Sequence, residues 1–92
     1  MPKITPAQCR AARGLLDWTQ EQLAEQAELS RSTVRDFEGG KHGLQRASAA
    51  QVVRVFEAAG LVLIEADEMG PGVRIRSPMG VVEAEASSRE SA

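Results

Sequence analysis

Over the first sixty residues the apolar positions recur at helical spacing, and after them the pattern alternates. Cys9, Ala12, Arg13 and Leu16 stand at i, i+3, i+4 and i+7 and define one face of a first helix, in which Arg13 is a charge that needs a partner. Ahead of it lies Thr5-Pro6-Ala7-Gln8. Thr5 is placed to accept from the amide three residues on, Gln8 reaches back as in a capping box, and Pro6 takes a first helical position where its missing N–H costs nothing. Thr19 and Gln22 repeat the box before a short second helix whose inner face is Leu23, Ala24 and Ala27, ending near Ala27. Ser30 is a third N-cap. Val34, Phe37 and Glu38 share a face of a third short helix, which Gly39-Gly40 stops. Residues 39–46 read as a loop. Ser48 and Gln51 predict a fourth capping box, before a helix lined by Val52, Val53, Phe56 and Ala59 that ends at Gly60.

The period then changes. Leu61–Glu65 and Val73–Arg76 predict two strands joined through Gly70-Pro71-Gly72. Val73 and Ile75 alternate with Arg74 and Arg76, so one face is apolar and the other basic. Leu61–Ile64 places four apolar residues in a row on an edge. That predicts pairing of this strand across a two-fold axis, or its packing on the helix-four face, to make a dimer. Residues 77–92 are small and polar apart from Val81-Val82 and predict a disordered tail, at least from Ala86. The expected organisation is a helical domain over 1–60, a β-hairpin extension over 61–77 and a tail over 78–92.

Composition narrows the function. A chain of 92 residues, 42% hydrophobic, has room for one small globular domain and none for a catalytic one. Trp18, Phe37 and Phe56 are its only aromatics, so the core is built from Ala, Val, Leu and Ile. Trp18 is expected to anchor the core between helices one and two, and Cys9 to be a small buried residue. One Cys and one His make neither an internal disulfide nor the usual zinc ligand set. No signal peptide is visible and the longest apolar run is far too short for a bilayer, which predicts a cytoplasmic protein with no membrane contact. No nucleophile–base arrangement surrounds His42 and no Gly-rich phosphate loop is present, so no enzyme, metal or cofactor is expected. The net charge of −2 argues against nucleic acid until it is divided: residues 1–46 sum to +1 and residues 47–92 to −3.

Two short helices separated by three residues and capped at Thr19 and Ser30 describe a helix-turn-helix, in which the first helix props the second into the major groove of DNA. Ala24 is small enough for the crossing and Val34 fills the space between the helices. The outward positions of the second are then Arg31, Ser32, Thr33, Arg35 and Asp36. Arginine donates to guanine O6 and N7, and Ser or Thr to either base edge or phosphate. Residues 9–60 resemble the Cro/repressor-type helix-turn-helix of the xenobiotic-response-element family. The strings that carry the likeness are Trp18-Thr19-Gln20-Glu21-Gln22-Leu23-Ala24, Leu29-Ser30-Arg31-Ser32-Thr33-Val34 and Phe37-Glu38-Gly39-Gly40.

The resemblance implies a mainly α, compact four- to five-helix repressor-like DNA-binding domain, here with a C-terminal β-hairpin extension, that binds operator DNA as a homodimer. It implies phosphate contact and buttressing by Gln20, base reading by Arg31 and Ser32, and further base or phosphate contacts one turn on at Arg35 and Asp36. It also implies a structural ion pair between Arg13 and Glu38, which gives Arg13 its partner. Lys41, His42 and Arg46 are expected to hold phosphates. One position departs from the family: the turn residue most often Gly is Glu28, where a left-handed backbone costs about 1 kcal/mol. An alternative role on the same domain is an antitoxin that autoregulates while residues 61–77 neutralise a partner protein. Arg74 and Arg76 are expected to form a solvated strand face.

Overall fold

Each of the first three helices begins at the hydroxyl the sequence offers it. In a computed structural model that describes residues 3–76, α1 (Pro6–Leu16) is capped by Thr5, α2 (Gln20–Ala27) by Thr19 and α3 (Arg31–Glu38) by Ser30. The boxes of α1 and α2 are complete, with Gln8 and Gln22 returning their side chains to the cap backbone. The predicted box at Ser48 does not form. α4 (Arg46–Ala58) begins three residues earlier than that cap implies, with Gln45 as an N-cap that makes no side-chain bond. Ala47, Ala49 and Ala50 favour the helix, and the Ala49 amide already closes on the Gln45 carbonyl at 2.8 Å. Ser48 therefore lies inside the first turn and cannot cap it.

The turns on either side of α2 are built alike. Asp17 and Glu28 both take the left-handed conformation, with φ of 59° at each. The next residue's amide then reaches back to a helix carbonyl: Trp18 to Arg13 at 2.9 Å, Leu29 to Ala24 at 2.8 Å. Trp18 and Leu29 both pack against the core, and each is followed by the next N-cap. Glu28 behaves as the missing turn glycine implied; Asp17 does the same without having been singled out. Trp18 stacks on Phe56 of α4, with ring centroids 6.0 Å apart, so it ties the α1–α2 turn to α4.

The core is mainly aliphatic around the rings of Phe56 and Phe37: Phe56, Leu23, Leu61, Val34, Val52 and Cys9 are its largest fully buried side chains. Leu61 belongs to the hairpin. β1 (Leu61–Ile64) and β2 (Gly72–Ile75) pair antiparallel with Leu61 opposite Ile75 and Leu63 opposite Val73. These four side chains share one face and pack on the helices. The expected exposed edge is corrected: Leu61 is 1% exposed, and the strand packs on α4, one of the two placements expected for it, within its own chain. Val62 and Ile64 are half-buried on the other face, beside exposed Arg74. β1 ends one residue short of its expected bound, leaving Glu65 outside, and β2 is shifted back by one, leaving Arg76 outside and bringing Gly72 in. Gln8 fixes the hairpin to α1. Its buried amide nitrogen donates to the carbonyls of Ile64 at 2.8 Å and Gly72 at 2.9 Å, while its oxygen accepts from the Thr5 amide. The predicted tail, 78–92, lies outside the described residues.

Candidate nucleic-acid interface

The third helix has two acidic residues near its end, and the fold treats them differently. Glu38 points inward and its side chain is 2% exposed. Its carboxylate accepts four hydrogen bonds: from Arg13 Nε at 2.7 Å and Nη2 at 2.6 Å, from Gln20 Nε2 at 2.9 Å and from the Cys9 thiol at 3.1 Å. Arg13 uses its remaining Nη1 on the Trp18 carbonyl. Arg10 donates to the Glu38 carbonyl, placing a cation at the C-terminal end of the helix, where the dipole favours it. Burial alone would raise the Glu38 carboxyl, but the bonds from Arg13, Gln20 and Cys9 outweigh it and hold the group below the ordinary carboxylate range. Burial, with the Glu38 contact adding to it, pushes the Cys9 thiol far up, so that it serves as a donor. α1, the start of α2 and the end of α3 are thereby joined at one carboxylate.

The opposite face of α3 is open. Val34, Phe37 and Glu38 are buried, while Arg31, Ser32, Thr33 and Arg35 are exposed. At about 100° per residue, Ser32 and Asp36 fall within about 20° of the line opposite Val34, and Arg35 and Thr33 flank them. Arg35 donates from Nε to Asp36 Oδ1 at 3.2 Å, with side chains 58% and 24% exposed. Arg31 makes no ion pair among the described residues. The Ser30 hydroxyl contacts those of Ser32 and Thr33 at 3.2 and 2.7 Å, so the cap of the helix also fixes the two small polar side chains on its first turn.

Of the basic residues expected around it, Lys41 and His42 follow the helix after Gly39 and Gly40. Gly40, at φ 78°, turns the chain so that the Lys41 and His42 amides both reach the Asp36 carbonyl. Ser32, Thr33, Asp36 and His42 border one groove of about 400 Å³ between α3 and the start of α4. Arg46 is the first residue of α4, beyond the loop expected to hold it. It borders a second groove of about 450 Å³ together with Lys3, which the sequence reading did not single out. Gln20 stands apart: its side-chain amide is taken up by Glu38, which is the buttressing half of its expected role. Its backbone N–H stands at the first position of α2, just after the Thr19 cap.

Arg10, and the bonds of Gln8 to the hairpin beyond its expected capping box, are the structural roles that sequence reasoning missed. For Gln8 a signal exists, since it stands four residues before Ala12 on the buried face, where a side-chain amide needs a second set of partners. No helix among the described residues is long and apolar enough to cross a membrane. A search of curated proteins finds no match to the sequence. The sequence model of a helix-turn-helix domain matches residues 7–69, which run from α1 through α4 and β1 into the hairpin turn. That span is more than half of the chain and contains the capped pair α2 and α3, in keeping with the likeness of residues 9–60 to the xenobiotic-response-element type. The chain therefore belongs to the helix-turn-helix domain family of DNA-binding regulators.

Proposed function

We propose that the protein is a sequence-specific transcriptional regulator that lays α3 in the major groove of an operator and acts as a homodimer. The observation that carries this reading is the division of α3. Its inner residues are immobilised by the core and by Glu38, while Arg31, Ser32, Thr33 and Arg35 stand outward together. A rigid helix with donors on one exposed face is what base-edge reading requires. Phosphates on one side meet the first amides of α2. On the other they meet the first amides of α4, which no side chain caps, with Lys41, His42 and Arg46 adjacent.

Near-neutral charge in the helical part makes non-specific attraction weak, so base contacts and dimerisation carry more of the affinity. The dimer would use the outer hairpin face at Val62 and Ile64, since Leu61 and Leu63 are turned to the chain's own core. The antitoxin role would need that same face for its partner, and no observation favours it over self-association.

The test is fluorescence-anisotropy titration against a randomised duplex pool, with selection and sequencing, at several salt concentrations. The expected result is enrichment of a site with two related halves and a log–log fall of affinity with salt. Absence of enrichment at every salt concentration overturns the reading. Light scattering at tens of micromolar tests the dimer separately.

A further inference from the structure

The Arg35–Asp36 pair places a carboxylate where a DNA reader should suffer from one. Asp36 is on the outermost line of α3, half-buried between Arg35 and the loop at His42, and it borders the groove with Ser32 and Thr33. Unpaired with a donor on the DNA, it would repel phosphate and the acceptor-rich edges of most base pairs. Its contact engages Arg35 Nε, so the donors of that exposed guanidinium that remain for a ligand are its two Nη groups. Side by side, the pair offers donors next to an acceptor. A G·C base pair offers the complement along its major-groove edge: guanine N7 and O6 accept, and the adjoining cytosine N4 donates. An A·T pair places its acceptors and donor in a different order.

We propose that Arg35 and Asp36 read one G·C base pair as a unit, with Arg35 on the guanine and Asp36 on the cytosine amino group, and that Asp36 is the specificity-determining residue of the interface. The assignment rests on α3 entering the major groove. Specificity is a difference of affinities, and a carboxylate in the groove acts mainly on the wrong side of that difference, by penalising every duplex that lacks a donor in front of it. Asp36 then lowers affinity for random DNA while sharpening the choice of site.

The experiment is the same randomised selection run on the wild type, Asp36→Ala, Asp36→Asn and Arg35→Ala, with thermal melting of each. Wild type should select one invariant G·C pair per half-site. Asp36→Ala should lose that preference alone, bind random duplex more tightly, and narrow the ratio of specific to random affinity by about tenfold or more. Asp36→Asn should move the preference toward adenine, which the asparagine amide matches at N6 and N7. Arg35→Ala should lose the same base pair. All four should melt together, because Asp36 and Arg35 hold nothing in the core. If the wild type selects a site and Asp36→Ala leaves every position of it unchanged, or weakens all sequences equally, the proposal is overturned while the regulator reading stands. If the wild type selects nothing, both fall.

Discussion

Two arginine–carboxylate pairs have their acids on the third helix, two residues apart, and they have almost nothing in common physically. Arg13–Glu38 is bidentate, nearly dry and joined by Gln20 and Cys9. Arg35–Asp36 is a single contact of 3.2 Å between neighbours in sequence, open to water on one side. In the first, the low dielectric makes each lost partner expensive, and the pair fixes where α3 lies against α1 and α2. In the second, water screens the attraction, so the pair contributes little to folding and keeps its donors and acceptor available. The difference is set by one step of about 200° around the helix between residues 36 and 38. Burial, not residue type, decides which acid is structural.

The comparison breaks most visibly at Glu38. Glu38→Ala leaves the Arg13 guanidinium partly buried without its carboxylate and should lose about 3–5 kcal/mol in urea denaturation. Replacing both partners by apolar residues of similar volume, Arg13→Met with Glu38→Leu, should be more stable than either single change; equal loss in the double variant would show that the pair is not acting as a pair. The same contrast appears with pH. Glu38 is held below its ordinary value, so its contribution is complete at neutral pH, begins to fall near pH 4.5 and disappears as the pH drops through its folded value. Acid unfolding followed by circular dichroism should show this loss in the wild type and not in the apolar double variant.

Gln8 is next in size. Its side chain serves the capping box and both strands of the hairpin, so Gln8→Ala leaves two carbonyls and one amide without this partner and should cost about 1–3 kcal/mol. Hydrogen exchange should rise in Leu61–Ile64 and Gly72–Ile75 while α3 keeps its protection. Equal loosening of α3 would mean that the hairpin and the reading helix are one cooperative unit.

Much of this was legible in the sequence because it is local. Thr5, Thr19 and Ser30 cap what they precede, and Arg13, alone in an apolar stripe, announced a partner that the family likeness gave as Glu38. What escaped is where tertiary packing overrides or extends a local rule. Ser48 has the residue type of a cap, but the alanines around it carry the helix three residues further back. Gln8 was assigned its local bond, while its other partners lie 56 and 64 residues away. Asp17 adopts the same left-handed turn as Glu28, and only the repeated order of acid, large apolar residue and cap hydroxyl could have exposed it. On the outer face residue types were readable, and a carboxylate facing the groove already called for either a cytosine amino group or Arg35 as its partner; the contact with Arg35 at 3.2 Å is what the structure adds.

The left-handed carboxylates give a smaller effect. Glu28→Gly removes the steric cost of φ 59° at a side chain exposed to solvent, and should stabilise the domain by about 1 kcal/mol, less what glycine gains in the unfolded chain. A thermal midpoint below that of the wild type would mean that the Glu28 carboxylate, near the first turn of α3, outweighs the strain through the helix dipole.

The smallest expected effect on stability separates the two pairs most sharply. Arg35→Ala removes a partner from an exposed ion pair, and such pairs are worth about 0.2–1 kcal/mol or less. Its denaturation midpoint should barely move, while its choice of DNA site changes. Glu38→Gln is the converse control: it keeps the shape of the side chain and touches no residue on the outer face, so it should weaken folding without altering which bases are preferred. If Arg35→Ala destabilised the fold as much as Glu38→Gln, the outer pair would be part of the structural network after all. A helix whose inner acid fixes its position and whose outer acid shapes its choice needs those two effects to be independent, and the two variants measured side by side decide whether they are.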